Sequence, residues 1–322
     1  MIRNGWHKCG GDMNRFKNIL FVAETTVDQA SALARAVSLA ERNLADLTII
    51  DVIPAVGGAY YEGLTTSRRA ALEALIEPYQ IRVKIECRIL MGTPFLEIIR
   101  AVLRNEHDLV IKAAETPGFM KRIFGSDDMH LLRKCPSPVW LMKPPEKSTY
   151  TRILAAIDFD PLNSTGEEKG LNQEILKLAS SLALSEDASL HLVHAWDVFA
   201  EGTIGARASG TPQSLEAYAE REHLLHQNCL YGLGETLREY LSEEAYDNLS
   251  LHFHLPKGPA KQVIAALAAE LQADLVVMGT VARTGISGLI IGNTAEAILE
   301  QLPCSVLAIK PPSFQTPVKI TG

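Results

Sequence analysis

An apolar run, Asp274-Leu-Val-Val-Met-Gly-Thr280, ends on a glycine and opens into Val281-Ala-Arg-Thr-Gly-Ile-Ser-Gly-Leu-Ile-Ile-Gly292-Asn-Thr-Ala-Glu296. Glycine lets backbone come close to a ligand. A helix opening at about Asn293 would turn free N–H groups toward an anion. Together these residues could cradle a phosphate, and Arg283 could meet that phosphate or sit in solvent. Asp158, behind the apolar run at 153–157, is the acidic candidate beside this loop, and its plainer role would be to cap the next helix. Asp158 with Asp160 suggests paired acid–base chemistry, but no nucleophile and base stand at recognisable spacing. Ser287, in Gly-Ile-Ser-Gly, lacks the strand–turn–helix register of a hydrolase elbow. No catalytic residue is therefore assigned. His194, His252 and His254 on neighbouring strands, and His223 with His226 one helical turn apart, could begin a zinc site. No carboxylate or thiol completes it, so these are expected to be solvated or core histidines, and no metal ligand is assigned.

The elements that hold these residues are written twice. Asp108-Leu-Val-Ile-Lys-Ala-Ala114 and Cys135-Pro-Ser-Pro-Val-Trp-Leu-Met-Lys-Pro-Pro145 return as Asp274-Leu-Val-Val-Met-Gly-Thr280 and Pro303-Cys-Ser-Val-Leu-Ala-Ile-Lys-Pro-Pro312. Upstream, Gly92-Thr-Pro aligns with Gly258-Pro-Ala at an offset of 166, and Lys17-Asn-Ile-Leu with Thr151-Arg-Ile-Leu. Solenoid periods run roughly 20–50 residues, so this is a duplicated domain. In the first copy, apolar β-type runs at 18–22, 47–53, 82–90, 109–111 and 139–142 alternate with helical spacing at 27–43, 66–79 and 94–104. In the second, runs at 153–157, 189–196, 249–254, 275–278 and 306–309 alternate with helices at 173–184, 214–241, 260–271 and from Asn293. Strands apolar on both faces and separated by helices imply a parallel sheet covered on both sides. The expected fold is α/β: two tandem doubly wound domains, each a five-stranded parallel sheet. The boundaries read as an extension at 1–14, disordered or non-native, then domain one at 15–145, a linker at 146–151, domain two at 152–312 and a tail at 313–322. The second copy is longer after Asp158 and in its second helix. Ligands in such sheets bind at the carboxyl ends of the strands, where strand order reverses, which is where Asp158 and Gly279 fall.

Composition removes several function classes. The chain has 322 residues, 47% hydrophobic and 21% charged, with a net charge of −7. It has no basic face to release counterions from a nucleic acid. No apolar run reaches the ~18–20 residues that span a membrane, and the first dozen residues lack the apolar core of a secretory signal. Five scattered cysteines without a Cys-x-x-Cys pair fit buried thiols in a reducing cytoplasm, with Cys135 and Cys304 packing beside the last strands.

From residue 16 to 312 the chain resembles the tandem universal stress proteins, most closely the E subfamily. The likeness lies in Val277 to Glu296, in the two Lys-Pro-Pro phrases, and in Asp128-Met-His-Leu-Leu-Arg-Lys-Cys-Pro-Ser-Pro-Val-Trp140. The resemblance implies an adenine-nucleotide alpha-hydrolase-like fold. In one branch it also implies ATP, with magnesium, bound through Gly-x-x-Gly-x9-Gly-Ser/Thr after strand four. Onto this chain it places Ala156, Ile157 and Asp158 at strand one, Ala195 after strand two, and Met278, Gly279, Ala282, Arg283, Gly292, Asn293 and Thr294 after strand four. Two positions depart from the pattern: Ala282 replaces the second glycine, and Asn293 the Ser/Thr. The first copy departs further. Counting back from Gly125, Lys112 and Glu115 stand where glycines belong, and Glu24 stands where Asp158 does, so the first copy is not expected to bind ATP. The resemblance further implies pairing of the two domains through strand five as a pseudo-dimer, and a homodimer of the whole chain. The expectation is a cytoplasmic, nucleotide-responsive binding module rather than an enzyme. The alternatives are a weak ATP hydrolase relying on Arg283, and a binder of an apolar or lipid-like metabolite.

Overall fold

The computed structural model describes residues 16–24, 27–55, 59–114, 126–197, 212–281 and 292–320. The first half runs β1 (Asn18–Ala23), α1 (Ala30–Asn43), β2 (Asp46–Ile53), α2 (Ala59–Ile76), β3 (Ile85–Met91), α3 (Pro94–Asn105), β4 (Leu109–Ala113), α4 (Ser126–Lys134) and β5 (Val139–Met142). The second runs β6 (Arg152–Ala156), α5 (Gly166–Glu186), β7 (Ser189–Val193), α6 (Pro212–Tyr240), α7 (Glu243–Asp247), β8 (Leu251–His254), α8 (Ala260–Glu270), β9 (Leu275–Gly279), α9 (Asn293–Leu299) and β10 (Ser305–Ile309). All pairings within each half are parallel. Strand β5 meets β10 antiparallel, Trp140 opposite Leu307, which joins the halves into one sheet ordered β3-β2-β1-β4-β5-β10-β9-β6-β7-β8.

Alternating strand side chains feed two apolar layers. Ile19, Phe21, Ile153 and Val277 face α1, α2, α5 and α6. Leu20, Val22, Leu154 and Val276 face α3, α4, α8 and α9. The aspartates of the repeated phrase explain why it recurs. Asp108 accepts from the amides of Lys17 (2.6 Å) and Asn18 (3.2 Å). Asp274 accepts from those of Thr151 (2.6 Å) and Arg152 (3.0 Å). Each carboxylate thus pins the start of the central strand to its neighbour, at the edge opposite the ligand edge.

The joint between the halves is packed rather than loose. Arg35 on α1 is buried, 3.3 Å from Glu186 of α5 and 3.8 Å from Glu146, and its guanidinium lies 3.7 Å from the Tyr150 ring centroid. The Ser305 hydroxyl bonds Glu146. Within 146–151, the segment between the halves, Glu146 takes part in a buried ion-pair network with Arg35.

Helix α5 begins at Gly166, seven residues before the expected start. Thr165 accepts from the Glu168 amide and Glu168 returns a bond to Thr165, a reciprocal cap. Thr-x-x-Glu was the readable signal. Helix α2 also begins earlier than its spacing suggested, and α4 was not expected as an element. Strand β7 stops at Val193, although Trp196 still bridges to Lys257.

Candidate functional site

Strand β6 lies between β9 and β7, and the chain leaves it toward β7 and β8 before returning on its other side to β9 and β10. The reversal of order therefore falls between β6 and β9. Ala156 pairs with Met278 on one side and Val193 on the other, so Ala156, Ile157, Asp158, Met278 and Gly279 share one carboxyl edge. Ala195 stands at the same edge beyond β7. Gly292 joins them because its N–H donates to Thr280 O at 3.2 Å. That bond brings the start of α9 to β9, where Asn293 and Thr294 are exposed and no side chain caps the helix. Ala282 and Arg283 lie outside the described residues, as do Glu115 and Ser287.

Asp158 is exposed and does not cap α5, whose cap is Thr165. Buried Asn172 of α5 donates to Asp158 O at 2.8 Å and fixes the main chain there. Asp160 instead shapes the following turn, accepting from the amides of Leu162 (2.8 Å) and Asn163 (3.1 Å). Gly279 also has a packing duty: a Cβ there would lie 2.7 Å from Leu171 Cδ2 of α5.

Next to this edge is a ring cluster that sequence reading missed. His194 is buried and stacks on Phe159, with centroids 3.7 Å apart. Its Nδ1 lies 3.1 Å from Ile157 O and its Nε2 2.8 Å from His226 Nδ1. A carbonyl only accepts, so His194 Nδ1 donates to Ile157 O, while its Nε2 shares a hydrogen bond with His226 Nδ1. Long helix α6 is thereby tied to the loop that carries Asp158. The side-chain neighbour of His252 and His254 is His191, whereas His194 meets that strand through its main chain, its N–H donating to His254 O at 3.1 Å. His191 Nδ1 lies 2.9 Å from His254 Nε2, and its ring stacks on His252 at 4.7 Å. Burial, then the neighbouring His252 and His254, push the His191 pKa down to about 4. Among the described residues no group of three metal-type ligands could hold an ion.

The first half has the same edge with different contents. Strand register places Ala113, not Lys112, at the Gly279 position, since Leu109 and Leu275 pair alike with Ile19 and Ile153. Counting back from Gly125 had misplaced it by one, because the loops after the two strands differ by one residue. Lys112 corresponds to Met278, Asp128 to Ala295, and Glu24 to Asp158. Buried Lys112 lies 2.5 Å from Asp128 and 2.9 Å from Glu24. Burial pulls its pKa down, but the two carboxylates outweigh burial and hold it above the ordinary lysine value.

A cleft of about 360 Å³ opens elsewhere, between α5 and α6, floored by buried Leu176 and Leu237 and rimmed by Lys177, Glu239 and Tyr240.

The family model for universal stress proteins matches residues 15–143 and again 149–310. The chain belongs to the universal stress protein family. Universal stress protein E of Escherichia coli (strain K12) is 33% identical over 329 residues, covering 96% of this chain and 98% of the relative. A solved structure of a functionally unknown protein from Pseudomonas aeruginosa PAO1 superposes with a TM-score of 0.67 at 28% identity, covering 93% of this chain and 94% of that one. A universal stress protein from Archaeoglobus fulgidus DSM 4304 shares the fold at a TM-score of 0.65 and 17% identity, covering 92% and 99% of the two chains. Among the described residues no helix is long and apolar enough to cross a membrane.

Proposed function

We propose that this universal stress protein binds one adenine nucleotide per chain, at the β6–β9 edge of its second half, as a responsive module without catalysis of its own. The comparison of the halves carries this reading. The acidic residue after the central strand is kept in both, as Glu24 and Asp158. In the first half it meets the protein's own Lys112 ammonium, which buried Asp128 also contacts. In the second half Met278 and Ala295 stand at the positions of Lys112 and Asp128, so the two edges differ in charge. Asp158 would hold the nucleoside, Ala195 would lie against the base, and Gly292, Asn293 and Thr294 would meet the phosphates. Magnesium, when bound with ATP, would neutralise phosphate charge. The domains paired through β5 and β10 would then signal occupancy as one unit, in a cytoplasmic homodimer.

Purified full-length protein is denatured and its released small molecules are identified by mass spectrometry, alongside thermal shifts with ATP and Mg²⁺. An adenine nucleotide and a stabilising shift lost in Asp158→Ala are expected. Neither appearing would end this reading. The α5–α6 cleft supports a second one, an apolar metabolite on the Leu176–Leu237 floor, which a lipid-like ion in the same spectrum would favour.

A further inference from the structure

Lys310 directly follows β10 and is buried, yet no carboxylate lies against it among the described residues. Its ammonium donates to Leu132 O in the last turn of α4 at 2.6 Å and to the Thr280 hydroxyl, while the Phe314 ring centroid lies 5.1 Å away. Thr280 is the residue after Gly279 and is itself fully buried. Its N–H donates to Ile309 O at 3.2 Å, and its carbonyl receives the Gly292 N–H. One threonine therefore ties together β9, β10, the start of α9 and Lys310. The helix at the other end of the lysine belongs to the first half. Near its start α4 carries Asp128, and its Arg133 lies 2.6 Å from Glu296 of α9.

The repeat gives a contrast within the molecule. Lys143 follows β5 in the same Lys-Pro-Pro phrase, but it is exposed and donates to Pro303 O at 2.9 Å. The Thr280 position is Ala114 there, so no hydroxyl waits for it. Between the two lysines of the repeated phrase, Lys310 alone is buried and bonded to the residue that follows β9.

We propose that Lys310 is a positioning residue for the second-half ligand edge, a proton-dependent strut between α4 and Thr280. Charged, its nitrogen has three N–H donors and no acceptor. It must then donate to Thr280 Oγ1 and to the helix end, where a cation is favoured by the helix dipole. Neutral, it has a lone pair, and the Thr280 hydroxyl can donate into it instead. The bond reverses and the helix end loses its cation. Burial pushes the lysine pKa down to about 7. The Cys135 thiol, itself pushed up to about 12 by burial, stays neutral throughout this range. The other groups touching Nζ, a carbonyl and a hydroxyl, do not titrate.

Only the ligand part of this inference rests on the nucleotide reading. The test follows the backbone amides of Thr280, Gly292 and Arg133 and the Lys310 Cε resonance by NMR in the ligand-free full chain between pH 5.5 and 9. The expected result is one shared midpoint near 7 in the wild type and flat amide profiles in Lys310→Met. ATP affinity is measured over the same range in both proteins, and the variant corrects for titration of ATP itself. Wild-type affinity should change about five-fold or more across the midpoint, the lower end of ordinary site coupling, and the variant should lose that dependence. Lys310→Arg, charged at every pH, should keep the low-pH affinity throughout. Amide profiles that still titrate near 7 in Lys310→Met, or that are flat in the wild type, overturn the strut. If ATP binds neither protein, the nucleotide reading fails and the ligand-free titration still decides. Should Lys310→Met not fold, Thr280→Val replaces it. Removing the acceptor should then lower the Lys310 midpoint, and an unchanged midpoint refutes the contact.

Discussion

The ion cluster of the first half is the sharpest test of the difference between the halves. Lys112→Met installs the residue that the second half carries at that position, but it leaves Asp128 and Glu24 without the ammonium that both contact. Removing one partner from a buried pair costs about 3–5 kcal/mol. Full burial of Asp128 and partial exposure of Glu24 point to about 3–4 kcal/mol for this change. Asp128→Ala should cost less, about 2 kcal/mol, because Lys112 keeps Glu24. The double variant recreates the Met278–Ala295 pair, for which the fold already has a packed precedent, and apolar replacement of a buried pair is often near neutral. It should lose no more than about 1–2 kcal/mol, leaving a coupling of about 3 kcal/mol or more. Guanidinium unfolding of the four proteins gives the cycle, provided the slope is unchanged while the midpoint moves. Additive single effects, or a Lys112→Met variant as stable as the wild type, would refute the reasoning that these groups neutralise one another in place of a ligand.

Other expectations are equally specific. The folded His191 pKa is about 4 against about 6.5 unfolded. The unfolded chain therefore binds more protons between those values, and stability is lost as pH falls from about 6.5 toward 4. With discount for the exposed side of the cluster, the loss is roughly 1–2 kcal/mol, and His191→Phe should flatten it in denaturation measured against pH. Gly279→Ala should cost about 1 kcal/mol by pressing on Leu171, and Leu171→Ala in the same chain should remove the added penalty in thermal melts. Arg35→Ala takes the cation from buried Glu146 at the joint, while Glu186 keeps Arg42 at 2.8 Å. The variant should lose about 3 kcal/mol and expose residues 146–151 to limited proteolysis, with cleavage no faster than wild type counting against a structural joint.

The fold was legible because its signal is redundant: two copies, each with doubly apolar strands and a shared closing phrase. Strand register was legible through Asp108 and Asp274, which mark the same point in each copy. Side-chain partnerships made across the two halves were not. Nothing local tells Lys310 from Lys143, since burial of the first depends on α4 arriving from the other half and on a threonine thirty residues earlier. The ion triad was half visible: Glu24 and Lys112 stood out as misfits to a nucleotide motif, but only strand pairing shows that one neutralises the other. His194 and His226 meet across a helix whose direction no periodicity fixes. Asp158 is readable from its position after an apolar strand run, whereas the packing of Gly279 against Leu171 depends on a helix that local sequence does not position.

Calorimetric titration of the full-length protein with ATP and Mg²⁺ tests the central claim most directly, because it counts sites. One nucleotide per chain is predicted, abolished by Asp158→Ala and unaffected by Glu24→Ala. Two nucleotides per chain, or one that survives Asp158→Ala and is lost with Glu24→Ala, would contradict it.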